Sequence, residues 1–235
     1  MVSITVLGIF LFTLPFCVIA LHSFKEYLGD RESRQKKHIF YAFLCISIGF
    51  ISALTGASIL SPDMSLGEKT IVNALFKSFD AFSTIGAFWL FVFLTDFIED
   101  IKRYIPYVVI HLTITLMLII LTPAGVIMLG GEHIIERSDF RSIALLFFWF
   151  LYWGIIAQQF WKNSKLMTKK RAIRRSQMMS IGAVFAILAY VLVVAAQVFQ
   201  TIAIQIFAQA CAVLSGIVFY VGFVLPEWLR KRQKG

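Results

Sequence analysis

Seven long apolar stretches, near 2–21, 38–60, 71–97, 105–129, 142–161, 178–199 and 202–225, follow one another with only short connections between them. A helix needs about 20 mostly apolar residues to cross a hydrocarbon layer roughly 30 Å thick, and the stretches match that length. A closed β-barrel is the other backbone solution in lipid, but its strands alternate apolar and polar residues over about ten positions. The stretches here are continuous and too long for that. A chain that is 59% hydrophobic and 15% charged also lacks the polar surface of a water-soluble globule, and its connections are too short to hold a soluble domain. The expected fold is therefore all-α: a polytopic, multi-pass membrane protein in which residues 1–235 form a single seven-transmembrane helix bundle. The first stretch has no basic segment ahead of Ser3 and no small-residue cleavage site behind it, so it reads as a span and not as a secretory signal.

Basic residues orient the bundle. Lys25, Arg31, Arg34, Lys36 and Lys37 lie between the first two spans, Lys102 and Arg103 between the third and fourth, and Arg230, Lys231, Arg232 and Lys234 after the seventh. The connection between the fifth and sixth is the densest, with Lys162, Lys165, Lys169, Lys170, Arg171, Arg174 and Arg175. Together these are 18 of the 22 Lys and Arg residues; only Lys69, Lys77, Arg137 and Arg141 fall on the other side. Short connections rich in Lys and Arg stay in the cytoplasm. The N-terminus is therefore expected outside and the C-terminus in the cytoplasm of a cell membrane. The net charge of +9 follows from that topology and is not a nucleic-acid-binding signature. Lys165, Lys169, Lys170, Arg171, Arg174 and Arg175, with Trp228 and Arg230 at the exit, form the expected contact surface. It suits anionic lipid headgroups, at about 1 kcal/mol per basic residue near the membrane, or a cytoplasmic signalling protein.

Polar groups in hydrocarbon are costly, so they face the bundle interior, a cavity or the interface. In the third span Lys77 and Asp80 are three residues apart on one helix face and can pair; Ser83 and Thr84 continue that face. Gln197 and Gln200 end the sixth span. Gln205 and Gln209 open the seventh at i, i+4 spacing, with Ala212 and Gly216 continuing the stripe. Lys77, Asp80, Ser83, Gln197, Gln200, Gln205 and Gln209 thus make the candidate ligand site, a polar vestibule at the outer face. The plainer reading is a neutralised snorkelling lysine plus glutamines bonded between helices, at about 0.6–2 kcal/mol per contact.

Other residues narrow the chemistry. Cys17, Cys45 and Cys211 lie inside spans with no metal-ligand spacing, which makes them small packing residues. His111 reads as a hydrogen-bonded packing residue; no second deep histidine offers a haem partner, and the seventh span has no mid-depth lysine for retinal. No cofactor is expected. HExxH, GxSxG and P-loop motifs are absent, as is an intramembrane carboxylate pair, so no enzymatic activity is expected. Asp96, Glu99 and Asp100 read as a solvated helix end. Gly49, Ala53 and Ala57, and likewise Gly182 and Ala186, form small-residue faces that let helices approach closely. Pro15 and Pro123 are expected to kink the first and fourth spans, and Trp149, Tyr152 and Trp153 to make core or lipid contacts.

The chain leaves its last span through Gly222-Phe223-Val224-Leu225-Pro226-Glu227-Trp228-Leu229-Arg230-Lys231-Arg232. A Pro-x-Trp-Leu-Arg exit after seven spans resembles the N-terminal seven-helix sensor region of prokaryotic histidine kinases. The abundance of Ile, Phe and Lys agrees with a prokaryotic source. The resemblance implies a module that senses a ligand or a membrane state and passes it to cytoplasmic signalling domains. These 235 residues contain no phosphoacceptor helix and no ATP-binding domain, so the expected output runs through a partner. The leading expectation is a sensor or receptor-like module. A small-solute transporter and a structural subunit of a membrane complex are the alternatives.

Overall fold

Serines start the second and third helices. Ser33 accepts from the Lys36 amide and opens α2 (Arg34–Ile59). Ser65 and Glu68 exchange side-chain and backbone bonds in a capping box that opens α3 (Leu66–Thr95). The structure, a computed structural model, describes residues 4–61, 64–122, 124–129, 132–137 and 139–224. Trp228 and Arg230 lie outside the described residues. The other elements are α1 (Ile4–Gly29), the single turn α4 (Glu99–Lys102), α5 (Ile105–Leu121), β1 (Ala124–Leu129), β2 (Glu132–Arg137), α6 (Asp139–Leu166), α7 (Lys170–Phe199) and α8 (Ile202–Val224).

Six helices, α1, α2, α3, α6, α7 and α8, are long and apolar enough to cross a membrane. The molecule is a helical membrane protein of the multi-pass kind. The expected span at 105–129 is corrected: α5 stops at Leu121 after 17 residues, about 25 Å at 1.5 Å per residue. Thr122 turns extended, with ψ of 137°, because a residue before proline avoids the helical region. Pro123, where a kink was expected, lies outside the described residues, and the helix has already ended at Leu121. The apolar run beyond it forms an antiparallel hairpin, with Ala124 opposite Arg137 and Leu129 opposite Glu132. Gly130-Gly131 between the strands is a two-residue hairpin signal.

Facing pairs give the helix directions. Phe12 meets Phe50 and Tyr27 meets Phe40 (α1, α2 antiparallel); His38 meets Asp96 and Gly56 meets Phe76 (α2, α3 antiparallel). Asp80 meets Arg141 and Phe91 meets Tyr152, so α3 and α6 run parallel. Trp149 meets Tyr190 and Phe160 meets Ser176 (α6, α7 antiparallel); Gly182 meets Ser215 and Arg175 meets Gly222 (α7, α8 antiparallel). Finally α8 lies parallel to α1, through Gln209 against Gly8 and Gly216 against Phe16. The six long helices thus close a ring, and α5 packs outside it on the α3–α6 seam. One end of the ring, here the N-terminal end, gathers the starts of α1, α3, α6 and α8 with the ends of α2, α5 and α7. The other, here the basic end, gathers the α1–α2 and α6–α7 connections.

Small residues set the seams. A Cβ on Gly86 would lie 2.8 Å from the Ala42 carbonyl oxygen, and one on Gly49 3.1 Å from that of Phe79, so α2 and α3 touch backbone to backbone. Gly182 packs on the Phe219 ring. Between helices, Ser180 Oγ donates to Ala157 O at 2.8 Å and Ser215 Oγ to Gly182 O at 2.8 Å; such bonds are worth about 0.6 kcal/mol each in membranes. Other hydroxyls, including Ser52, Thr55 and Ser78, return to the carbonyl four residues back and so carry no unmet polarity into the apolar layer.

Candidate functional site

On the ring axis, towards the N-terminal end, lies a cavity of about 150 Å³ walled by all six long helices. Alanines leave the space: Ala53 on α2, Ala186 and Ala189 on α7, Ala208 and Ala212 on α8. Aromatic rings line it, with Phe12 and Phe16 from α1, Phe50 from α2, Phe76 and Phe79 from α3, Trp149 and Trp153 from α6, and Tyr190 from α7. These rings brace one another. Trp149 stacks on Tyr190 at 5.3 Å and 8°, and Phe50 takes Phe12 edge-on at 4.7 Å. On α8 the lining runs from Gln205 to Ser215 and on α1 from Thr5 to Phe16, which at 1.5 Å per residue gives a length of about 15 Å.

The polar residues described along the lining are neutral: Thr5, Gln197, Gln205, Gln209 and Ser215, beside the rings of Tyr190 and Trp153. Among the described residues no charged side chain lines the cavity. Among the described residues, Thr5 Oγ1, Gln205 Oε1 and Trp153 Nε1 are buried atoms without a hydrogen-bond partner. Gln209 lies across Gly8, where any Cβ would collide with its amide end.

Three of the seven expected site residues, Gln197, Gln205 and Gln209, therefore meet at one cavity. Gln200 does not. It caps α7 in a left-handed conformation (φ 52°) and is exposed. Lys77, Asp80 and Ser83 also lie off the cavity lining. The expected Lys77–Asp80 pairing is redirected: the Asp80 carboxylate accepts from Arg141 of α6 at 2.5 Å, and both side chains are buried. Lys77 Nζ instead donates to Ile120 O at the end of α5, 2.6 Å away. An ion pair out of water must be closely matched to offset its desolvation, and this one ties α3 to α6. Ser83 faces Gly49 in the α2–α3 seam.

At the basic end the axis is filled. Phe43 and Phe219, both fully buried, meet Phe16 and Phe223, with Phe43–Phe223 centroids at 4.6 Å and Phe219 5.5 Å from Trp153. Arg175, one of the expected lipid or partner contacts, directs its guanidinium to the Gly222 and Phe223 carbonyls and so closes the C-terminal end of α8. Lys165, Lys169, Lys170, Arg171 and Arg174 are exposed. His38 Nδ1 lies 2.8 Å from Asp96, which makes this carboxylate a half-buried clasp between α2 and α3 and not the solvated helix end expected. His111 packs with Tyr152, Nδ1 to Oη 3.1 Å, and Trp149, Tyr152 and Trp153 are all core residues.

No group of three metal-ligating side chains exists among the described residues. No protein-family model matches the chain, and comparison with curated proteins gives no match.

Proposed function

We propose that this protein is a receptor-like sensor of the cell membrane. It binds a small ligand in the axial cavity and signals to a cytoplasmic partner at the basic end. One observation carries the reading: a neutral, aromatic-lined cavity touches all six long helices and stops at a plug of phenylalanines. A ligand held there contacts every wall of the ring. If it fits one helix arrangement better than another, it shifts the whole bundle. A transporter needs a path through the axis, which Phe43, Phe219 and Phe223 occupy.

In this proposal α5 is the seventh span, short but within the range of about 17–25 residues that cross a bilayer. The N-terminal end faces outside and the basic end the cytoplasm, following the Lys and Arg asymmetry. Exposed Lys165, Lys169, Lys170, Arg171 and Arg174 serve anionic headgroups and the partner. The resemblance of the exit segment to histidine-kinase sensor regions supports the same direction of signalling.

The test is a pull-down of the tagged chain from native membranes in mild detergent, with bound proteins identified by mass spectrometry. A stoichiometric cytoplasmic signalling protein, lost when Lys169, Lys170, Arg171 and Arg174 are changed to Gln, is the expected result. Recovery of membrane subunits alone, or solute flux in proteoliposomes, overturns the sensor reading.

A further inference from the structure

We infer that the deep end of the cavity takes the hydrocarbon end of its ligand, an aryl or alkyl group that carries no polar atom. The inference rests on the reading of the cavity as a ligand site and adds the chemical class of the ligand. The floor is made of two rings. Phe16 of α1 and Trp153 of α6 both line the cavity, and both rest on Phe219 of the plug. Above them the surface of the space is almost wholly apolar. Several polar atoms of the wall residues turn away from it: Thr5 Oγ1, Trp153 Nε1, Tyr190 Oη and Gln205 Oε1 are each too enclosed to touch a water molecule. Ser215, the hydroxyl on the deepest lining residue of α8, donates to the Gly182 carbonyl oxygen at 2.8 Å. Gln209 stands further out, against Gly8 of α1, eight residues and so about 12 Å above Phe16. Among the described residues, no side chain offers a hydrogen bond to a group that rests on the floor.

A space of this kind suits hydrocarbon. An apolar cavity of about 150 Å³ in another protein stays dry and binds benzene or xenon, and this one has a similar volume. The rings and alanines around it forgo dispersion contacts that a hydrocarbon group would restore. A hydroxyl or carbonyl at the floor would give up its partners in water or at the lipid headgroups and find none. That loss is worth about tenfold or more in affinity. Two alanines leave the room for the group. Ala212 lies one turn above Gly216, which packs on Phe16, and Ala186 lies one turn below Tyr190. Depth therefore sorts the ligand by polarity, with carbon at the floor and any polar group two turns out. A small free molecule and the end of a lipid tail share this chemistry.

The test uses the full chain in nanodiscs and two probes of matched shape, fluoro-para-xylene and fluorohydroquinone, the second kept reduced with ascorbate. The fluorine NMR signal of bound probe is read against empty nanodiscs, and affinity is referred to the concentration of probe in the bilayer. Whichever way it enters, the hydroquinone sets one hydroxyl at the floor. The expected result is a saturable bound signal for the xylene at one per chain, with the hydroquinone about tenfold weaker or more. Ala212→Leu should abolish the xylene signal while the unfolding midpoint holds or rises, since the new side chain fills existing space. Ala186→Leu repeats the test from α7 should Ala212→Leu prove unstable. Mass spectrometry of the chain purified in mild detergent then reads the source. A lipid held one per chain and lost in Ala212→Leu assigns the hydrocarbon to a lipid tail; xylene binding with no such lipid assigns it to a free molecule. Equal or tighter binding of the hydroquinone overturns the hydrocarbon floor while the ligand-site reading stands. Xylene binding that both leucines leave intact places the probe elsewhere and overturns the inference. No saturable signal from either probe overturns both.

Discussion

The two ends of one helix ring make opposite use of the same axis. At the basic end Phe43, Phe219 and Phe223 meet in the middle, and Gly182 gives Phe219 its seat. Towards the N-terminal end the same helices present Ala53, Ala186, Ala189, Ala208 and Ala212, and the axis stays open. The six helices are common to both levels; the difference is side-chain volume. Protein interiors are otherwise filled to crystal-like density, and an open apolar space forgoes the contacts that its lining could make. The cavity is thus a departure from good packing, kept beside a plug that obeys it.

The largest effect should come from removing the plug. Phe219→Ala deletes a fully buried ring that touches α1, α2, α6 and α7, and a loss of about 3–5 kcal/mol is expected. Phe79→Ala, on the half-buried cavity wall, should cost less than half as much, because its ring already lacks neighbours on one side. Denaturant titration of both in detergent makes the comparison; equal losses would erase the distinction between a packed end and an open one.

Glycine offers a sharper contrast, of intermediate size. Gly86→Ala drives a methyl group towards the Ala42 carbonyl oxygen, part of a helix backbone that cannot step aside. The expected loss is about 1–3 kcal/mol, typical of overpacking. Gly8→Ala meets only the amide end of Gln209, which can swing away. Its unfolding midpoint should hold, since the amide has the cavity beside it to move into. If both variants lose stability alike, the N-terminal end is as rigid as the basic end.

Much of this was legible in one dimension, and the reason is the solvent. Hydropathy alone located all six long helices, because lipid forces each backbone to satisfy itself within its own segment. The glutamines stood out for the same reason: Gln197, Gln205 and Gln209 are polar in an apolar run. The stretch 105–129 misled because Ala124–Leu129 is as apolar as a span. Its turn chemistry, Pro123 ahead of it and Gly130-Gly131 behind, carried the information instead. Ser65 and Glu68 likewise marked a helix start several residues before hydropathy did. Asp80 could not be read correctly from its own helix, since its partner Arg141 is 61 residues away on a parallel one. Nor could the alanines. On a single helix an alanine looks like a packing residue, and only the stacking of five of them at one level of a closed ring makes a cavity.

Gln205 carries the smallest change, and its sign separates function from packing. Its side-chain oxygen is buried without a partner among the described residues, so the folded protein keeps an unmet acceptor in an apolar setting. A glutamine retained for packing would be bonded across to a neighbouring helix, and losing it would cost about 0.6 kcal/mol. Gln205→Leu removes the unmet group and adds apolar contact. It is therefore expected to stabilise the bundle by about 0.5 kcal/mol, read by denaturant titration in detergent. Stability gained on losing a polar side chain is the pattern of a residue that is not held for packing. A destabilised Gln205→Leu would instead place this glutamine with Ser180 and Ser215, as one more bond that holds the ring together.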